Sequence, residues 1–131
     1  IQLLQDSVAT FEDKLYIIGR DDATNRHRRS LRELTAGLDR TKPILLLDHQ
    51  PHHLEEAEQT GIDLQLSGHT HRGQVFPINL IVDQLYERSH GYHRRGATQY
   101  YVSSGIGIWG GKYRIGTQSE YAVITLRPQA N

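Results

Sequence analysis

Apolar and polar positions divide this chain into stretches of different period. From Ile1 to Gly19 the apolar residues alternate loosely through Leu4, Val8, Phe11, Leu15, Ile17 and Ile18, with Glu12-Asp13-Lys14 as a polar interruption, which predicts a hairpin of strands. The polar stretch Asp21 to Asn25 leads into Arg28 to Leu38, where Leu31, Leu34 and Leu38 recur at helical spacing and Gly37 lies near the end. That pattern predicts an amphipathic helix. Pro43 then introduces Ile44-Leu45-Leu46-Leu47, a short unbroken apolar run expected of a strand buried on both faces in a parallel sheet. His53 to Gln59 has the composition of a short helix, Gly61 stops it, and Ile62 to Ser67 alternates as another strand.

A strand, helix, strand unit places its two strands parallel in one sheet, so the loops that follow Leu47 and Ser67 are expected at the same edge. In open sheets of this kind that edge is where ligands bind. The remainder, Val75 to Leu85 and Tyr92 to Leu126, holds a hairpin signal at Arg94-Arg95-Gly96-Ala97 and a glycine-rich stretch from Gly105 to Gly111. Tyr121 to Leu126 reads as a last strand. With no internal repeat and no low-complexity segment, the economical reading is one domain of mixed α/β class, or part of one.

Composition narrows the chemistry. Fifteen Lys and Arg balance fifteen Asp and Glu, so no overall field recruits nucleic acid or an anionic membrane, and no nucleic-acid partner is expected. The absence of cysteine removes disulfides and thiolate ligands together, leaving His, Asp, Glu and Asn for any metal site. Apolar runs such as Ile44 to Leu47 fall far short of the roughly 20 residues that span a bilayer, so the expectation is a soluble piece. The chain also begins at Ile1 inside what reads as a strand and contains no methionine, which suggests a fragment of a longer parent, cytoplasmic or membrane-anchored.

The candidate chemistry sits in two motifs, Asp48-His49-Gln50-Pro51 and Gly68-His69-Thr70-His71. In an extended segment residues two apart point to the same side, so His69 and His71 are expected to offer their imidazoles to neighbouring ions, with Gly68 permitting the turn before them. His49, at the end of the adjacent predicted strand, brings a third imidazole to the same place. A solvent-facing histidine pair is the bland alternative for His69 and His71; the convergence with His49 argues for a site.

These residues carry a family resemblance. Leu47 to Pro51 and Leu66-Ser67-Gly68-His69-Thr70-His71-Arg72-Gly73-Gln74 resemble the calcineurin-like metallophosphoesterases, in particular the bacterial YkuE/YaeI type of phosphohydrolase. The likeness continues through Gly91-Tyr92, Tyr101 to Gly107, Tyr113-Arg114-Ile115-Gly116 and Val123 to Leu126, nearly the whole chain. It implies a four-layer αββα sandwich, two facing sheets with helices outside, of which residues 1–131 are expected to form the C-terminal half. It also implies that His49 and His69 ligate one of two divalent ions and His71 the other, without choosing among Mn, Fe, Zn and Ni.

The family's remaining ligands come from Asp-X-His, Gly-Asp-X-X-Asp and Gly-Asn-His-Asp/Glu motifs, none of which occurs in this sequence. Asp21-Asp22 follows Gly19-Arg20 with the wrong spacing and reads as a loop. The leaving-group histidine belongs to the third of those motifs, so no catalytic residue can be assigned by resemblance. The expectation is therefore an enzyme whose partners are a phosphoester substrate and the missing N-terminal half. Alone, the chain is expected to be inactive, to bind at most one ion weakly, and to self-associate through its uncovered sheet face. A non-catalytic metal-binding or interaction module is the alternative, and a complete three-histidine, single-metal hydrolase ranks behind both.

Further residues are expected near substrate. Arg72 stands where the family commonly has glycine and could grip a phosphate bidentately, His52 could line the site, as could His53, and Gln74 could orient a neighbouring group. Arg26, Arg28, Arg29 and Arg32 read as a solvated helix face. His90, Tyr92, His93, Arg94 and Arg95 form a polar cluster that could serve as a substrate lip, and Trp109 is either a substrate platform or a surface anchor.

Overall fold

In the computed structural model, which describes residues 2–127, the chain is a mixed α/β unit built on a single sheet of six strands. Strands β1 (Ser7–Phe11) and β2 (Leu15–Gly19) form the expected hairpin around Glu12-Asp13-Lys14. Helix α1 (Leu31–Thr35) leads to β3 (Ile44–Leu47), and α2 (Leu54–Gln59) to β4 (Leu64–Ser67). A 3-10 turn at His71–Gly73 and helix α3 (Ile78–Leu85) precede the second hairpin, β5 (Gly91–Arg95) and β6 (Thr98–Val102). The order across the sheet is β1-β2-β3-β4-β6-β5; β2, β3, β4 and β6 run parallel, and an antiparallel strand closes each edge.

The register explains the layering. Ile18, Leu46, Gln65 and Tyr100 lie side by side across the four parallel strands on one face of the pleat. Against that face pack Leu31 and Leu34 of α1 and Leu54 and Ala57 of α2, which join Ile18, Ile44, Leu46, Ile62 and Tyr100 in one buried cluster. Tyr100 is wholly enclosed, and its hydroxyl donates to the Leu54 carbonyl at 2.7 Å, tying β6 to the start of α2. One sheet with helices on one face is half of the expected sandwich.

Helix α1 is shorter than its apolar period suggests. Ser30 caps it with a full capping box: its hydroxyl accepts from the Glu33 amide, and the Glu33 carboxylate accepts from the Ser30 amide. Arg28 therefore lies before the helix rather than on its polar face. Two other expectations are corrected. Strand β3 is buried on one face only: Ile44 and Leu46 are enclosed, whereas Leu47 is 40% exposed. Tyr121 to Leu126 forms no strand, because the segment meets a sheet face rather than a strand edge, and Ile124 and Leu126 border a cavity there with Leu45, Leu64 and Tyr101. Helix α3 was not among the expected elements, although Ile78, Ile81, Val82 and Leu85 stand at helical spacing.

Among the described residues no helix is long and apolar enough to cross a membrane. The core assignment gives a graded expectation for unfolding in urea. Leu46→Ala should cost about 2–5 kcal/mol as a cavity at the centre of the cluster. Tyr100→Phe, which leaves the Leu54 carbonyl without its donor, should cost about 1–3 kcal/mol. A Tyr100→Phe variant as stable as the parent chain would show that the bond to Leu54 does not hold α2 in place.

Candidate metal centre

The parallel ladder fixes where the histidines emerge. Leu45, Leu46 and Leu47 pair with Leu64, Gln65 and Leu66, so the loops after β3 and β4 leave the sheet together at its carboxyl edge. The Gly68 amide donates to the His49 carbonyl at 3.0 Å and extends this alignment into the loops. His49 and His69 thereby meet edge to face, with the ring centroids 5.1 Å apart and His49 Nε2 3.3 Å from His69 Nδ1.

The second histidine loop is not the extended segment the sequence suggested. His69, His71, Arg72 and Gln74 all have positive φ, at 67°, 48°, 49° and 54°. Each costs on the order of 1 kcal/mol for a side chain with a Cβ. Gly73 follows at φ 72°, where an added Cβ would lie 2.5 Å from the Asn79 backbone, so only glycine lets the turn abut α3. The left-handed path turns His71 away from the other two rings. Its carbonyl accepts from Arg114 Nη1 at 3.2 Å, and its Nδ1 lies 3.4 Å from Arg114 Nη2. All three imidazoles border one cavity, yet among the described residues no three His, Asp or Glu side chains converge on a point that could hold an ion.

Hydrogen bonds hold this strained turn in shape. Gln74 is 5% exposed; its Nε2 donates to the carbonyls of Trp109 at 2.7 Å, Gly111 at 3.1 Å and Tyr113 at 3.3 Å, and its Oε1 accepts from the Trp109 amide. That corrects the expectation of a substrate contact: the Gln74 amide is wholly committed to stapling the glycine-rich loop beside the histidines. Arg114 completes the staple with donations to the carbonyls of Ser104 at 2.7 Å and Gly107 at 2.6 Å. No spacing in the sequence links residue 74 or 114 to that loop, so neither role was legible there.

The other expected residues disperse. Arg72 is exposed and faces a separate cavity with His90, Ser104 and Glu120 rather than the histidine pair. His52 stacks on Tyr86 at 4.9 Å, and His53 takes the left-handed position before α2, its Nδ1 3.3 Å from a Glu55 carboxylate oxygen. In the polar cluster around the second hairpin, His90 meets Glu120 at 3.1 Å, His93 meets Glu87 at 3.3 Å, and Arg95 holds Glu58 at 2.6 Å. Polar contacts within the chain, with an ion pair at Arg95, rather than a free lip, are what the structure gives these groups.

Charge behind the histidine pair comes from an unexpected quarter. Asp48 is 2% exposed, and its two oxygens lie 3.4 Å from Arg20 and 3.5 Å from Arg28, with Arg20 also reaching Glu56 at 2.9 Å. Arg28 is thus a partner of the first motif, not a solvated helix residue. Burial pushes the Asp48 carboxyl up, opposed by Arg28 and Arg20. Gln50, also buried, donates from Nε2 to Asp22 at 2.7 Å and accepts the Ala23 amide at 3.1 Å, latching the loop after β2 to the first histidine motif. The Thr24 hydroxyl, then the Thr24 amide and Gln50, hold Asp22 down to about 2. Asp22 is a loop residue, as its spacing indicated, but its charge lies close enough to help hold His69 protonated. Partial burial, then the neighbouring His49, outweigh it and push His69 down, favouring the neutral imidazole that can ligate.

Known proteins carry the same stretch. The chain is 46% identical over 93 residues to a Helicobacter pylori protein named an uncharacterized metallophosphoesterase, covering 70% of this chain and 25% of that protein. It is 34% identical over 125 residues to a zebrafish transmembrane protein with metallophosphoesterase domain, covering 88% of this chain and 29% of the relative. The Bacillus subtilis uncharacterized metallophosphoesterase YkuE is 34% identical over 93 residues, which cover 68% of this chain and 32% of YkuE. No family model and no solved structure matches. The chain belongs with the metallophosphoesterases, as its two histidine motifs indicated, and it spans about a quarter of the length of three curated relatives it matches.

The latch between Gln50 and Asp22 yields a pH-dependent expectation. A lowered carboxylate value means that its contribution to stability is complete above the ordinary carboxylate range and is lost as pH falls toward about 2. Carboxyl-carbon NMR should place the Asp22 midpoint near about 2 and move it upward in Gln50→Ala. An unchanged midpoint in that variant would mean that the latch does not act on Asp22.

Proposed function

We propose that this chain is the C-terminal part of a metal-dependent phosphoesterase domain that hydrolyses phosphomonoesters or phosphodiesters at a centre of two divalent ions. The observation that carries the reading is the 3.3 Å separation of His49 Nε2 and His69 Nδ1 at the carboxyl edge of two adjacent parallel strands. Two nitrogens each about 2.0–2.1 Å from one tetrahedral ion lie roughly 3.3 Å from each other, so the pair already has the spacing of ligands to a shared ion. Neutral imidazoles suit Mn, Fe, Zn and Ni alike.

In this reading His49 and His69 hold one ion, and His71, which borders the same cavity, faces the position of the second. Divalent ions in such a centre supply polarisation of the phosphoryl group and activation of water. The chain's own residues orient the ligands: Arg20 and Arg28 neutralise the buried Asp48 beneath His49, Gln50 fixes the flank of that loop, and Gln74 and Arg114 hold the strained turn that carries His69 and His71. The remaining ligands and the proton donor for the leaving group belong to the other half of the domain. That half would also cover the face on which Leu47 is exposed; without it the chain is inactive and self-associates.

Two measurements test this. Titration of the isolated chain with Zn in a calorimeter should show at most one weakly bound ion, lost in His69→Ala; retention of binding in that variant argues against the shared-ion pair. The full-length parent should cleave a p-nitrophenyl phosphoester only when a divalent metal is supplied. If the parent is inert with Mn, Fe, Zn and Ni while the chain still binds an ion through His69, the non-catalytic metal-binding module is the better reading.

A further inference from the structure

The histidine pair borders a cavity of about 590 Å³ whose remaining lining, Thr70, His71 and Gln74 apart, is mostly apolar: Val75, Ile78, Val82, Leu85, Tyr86 and Trp109. That volume falls within the roughly 300–1,000 Å³ of small-molecule sites. Three of these residues, Ile78, Val82 and Leu85, form one stripe of α3 at helical spacing. Such a stripe ordinarily packs into a core, yet α3 has no buried residue; Ile78 is 48% and Leu85 71% exposed. Facing them, Trp109 is 77% exposed, although its backbone is fixed at both its amide and its carbonyl by the buried Gln74 side chain. Tyr86 is likewise held against the first motif by its stack with His52.

These walls are positioned by specific contacts and left open. A phosphoryl group alone has no use for them, because it needs cations and N–H donors, and no carboxylate among the described residues lines the cavity to repel it. A ligand with a phosphoryl end and an apolar arm uses both ends.

Resting on the phosphoesterase reading, we propose that this cavity receives the alkyl or acyl arm of an amphipathic phosphoester, with α3 and the Trp109 loop as its walls and the phosphoryl end against His49, His69 and His71. The recognition is by apolar area, so it grows with chain length. Chain-length preference is thus set by α3 and the Trp109 loop, which adjoin the metal ligands in space but hold no ion.

The test uses the full-length parent with methyl, butyl and octyl p-nitrophenyl phosphodiesters, which share one leaving group. With the cavity filled by the alkyl arm, kcat/KM should rise about two- to fourfold per methylene over the first carbons. Calorimetry should find octyl phosphate bound tighter than methyl phosphate in the same order. Val82→Asn and Trp109→Ser, on separate segments, should each lower the octyl-to-methyl ratio by roughly tenfold or more. Turnover of the methyl ester with a flat chain-length series, as a cavity filled by the parent's own chain would give, overturns this inference alone. So does a steep series unchanged in both variants. Absence of turnover with every ester and metal removes the phosphoesterase reading, and this inference with it.

Discussion

The parallel pairing of β3 with β4 is the constraint on which the rest depends. Its register, Leu45 with Leu64 through Leu47 with Leu66, makes the strands end within one residue of each other, so that two residues beyond each end the chain can place an imidazole beside its neighbour. The pairing is secured from below: α2 must cross over the sheet between the two strands, and Leu54 and Ala57 bury against Leu46 and Tyr100 as it does so. A crossover without that apolar face would leave the two histidine loops at the same edge of a sheet that had no reason to hold them there.

Above the sheet edge, rigidity comes from polar contacts rather than packing. The turn from His69 to Gln74 occupies a backbone region that side chains disfavour, and it persists because Gln74 and Arg114 bond it to the glycine-rich loop. The loop has little apolar packing of its own, so these bonds define both partners at once. Asp48 performs the matching task for the first motif, holding Arg20 and Arg28 in the space below His49. A buried carboxylate flanked by two guanidinium groups is costly to desolvate, and its survival at this point fits a role in shaping the loop more than in stabilising the fold.

Much of the fold was legible in the residues because each legible element had a local cause. The hairpins at Glu12-Asp13-Lys14 and at Gly96-Ala97 follow from turn chemistry beside alternating strands, and β3, α2 and β4 follow from an apolar run, a polar helix composition and a glycine stop. Helix α3 escaped although Ile78, Ile81, Val82 and Leu85 recur at helical spacing, because the segment is only eight residues long and no capping side chain marks its start. Tyr121 to Leu126 has the alternation of a strand, but alternation records which side chains share a face and says nothing about whether a partner strand lies alongside.

By itself, the sequence determined the family and the class of fold and marked three histidines as candidates, because metal-ligand chemistry permits few residue types and those residues lie in short contiguous motifs. Tertiary structure alone decided that His49 and His69 meet while His71 turns aside, that Arg28 serves Asp48, and that Gln74 holds a loop rather than a substrate. Those outcomes depend on contacts between residues some 20 to 40 positions apart, and on a left-handed backbone stabilised only after the loops have met. Short-range pattern carries no information about either.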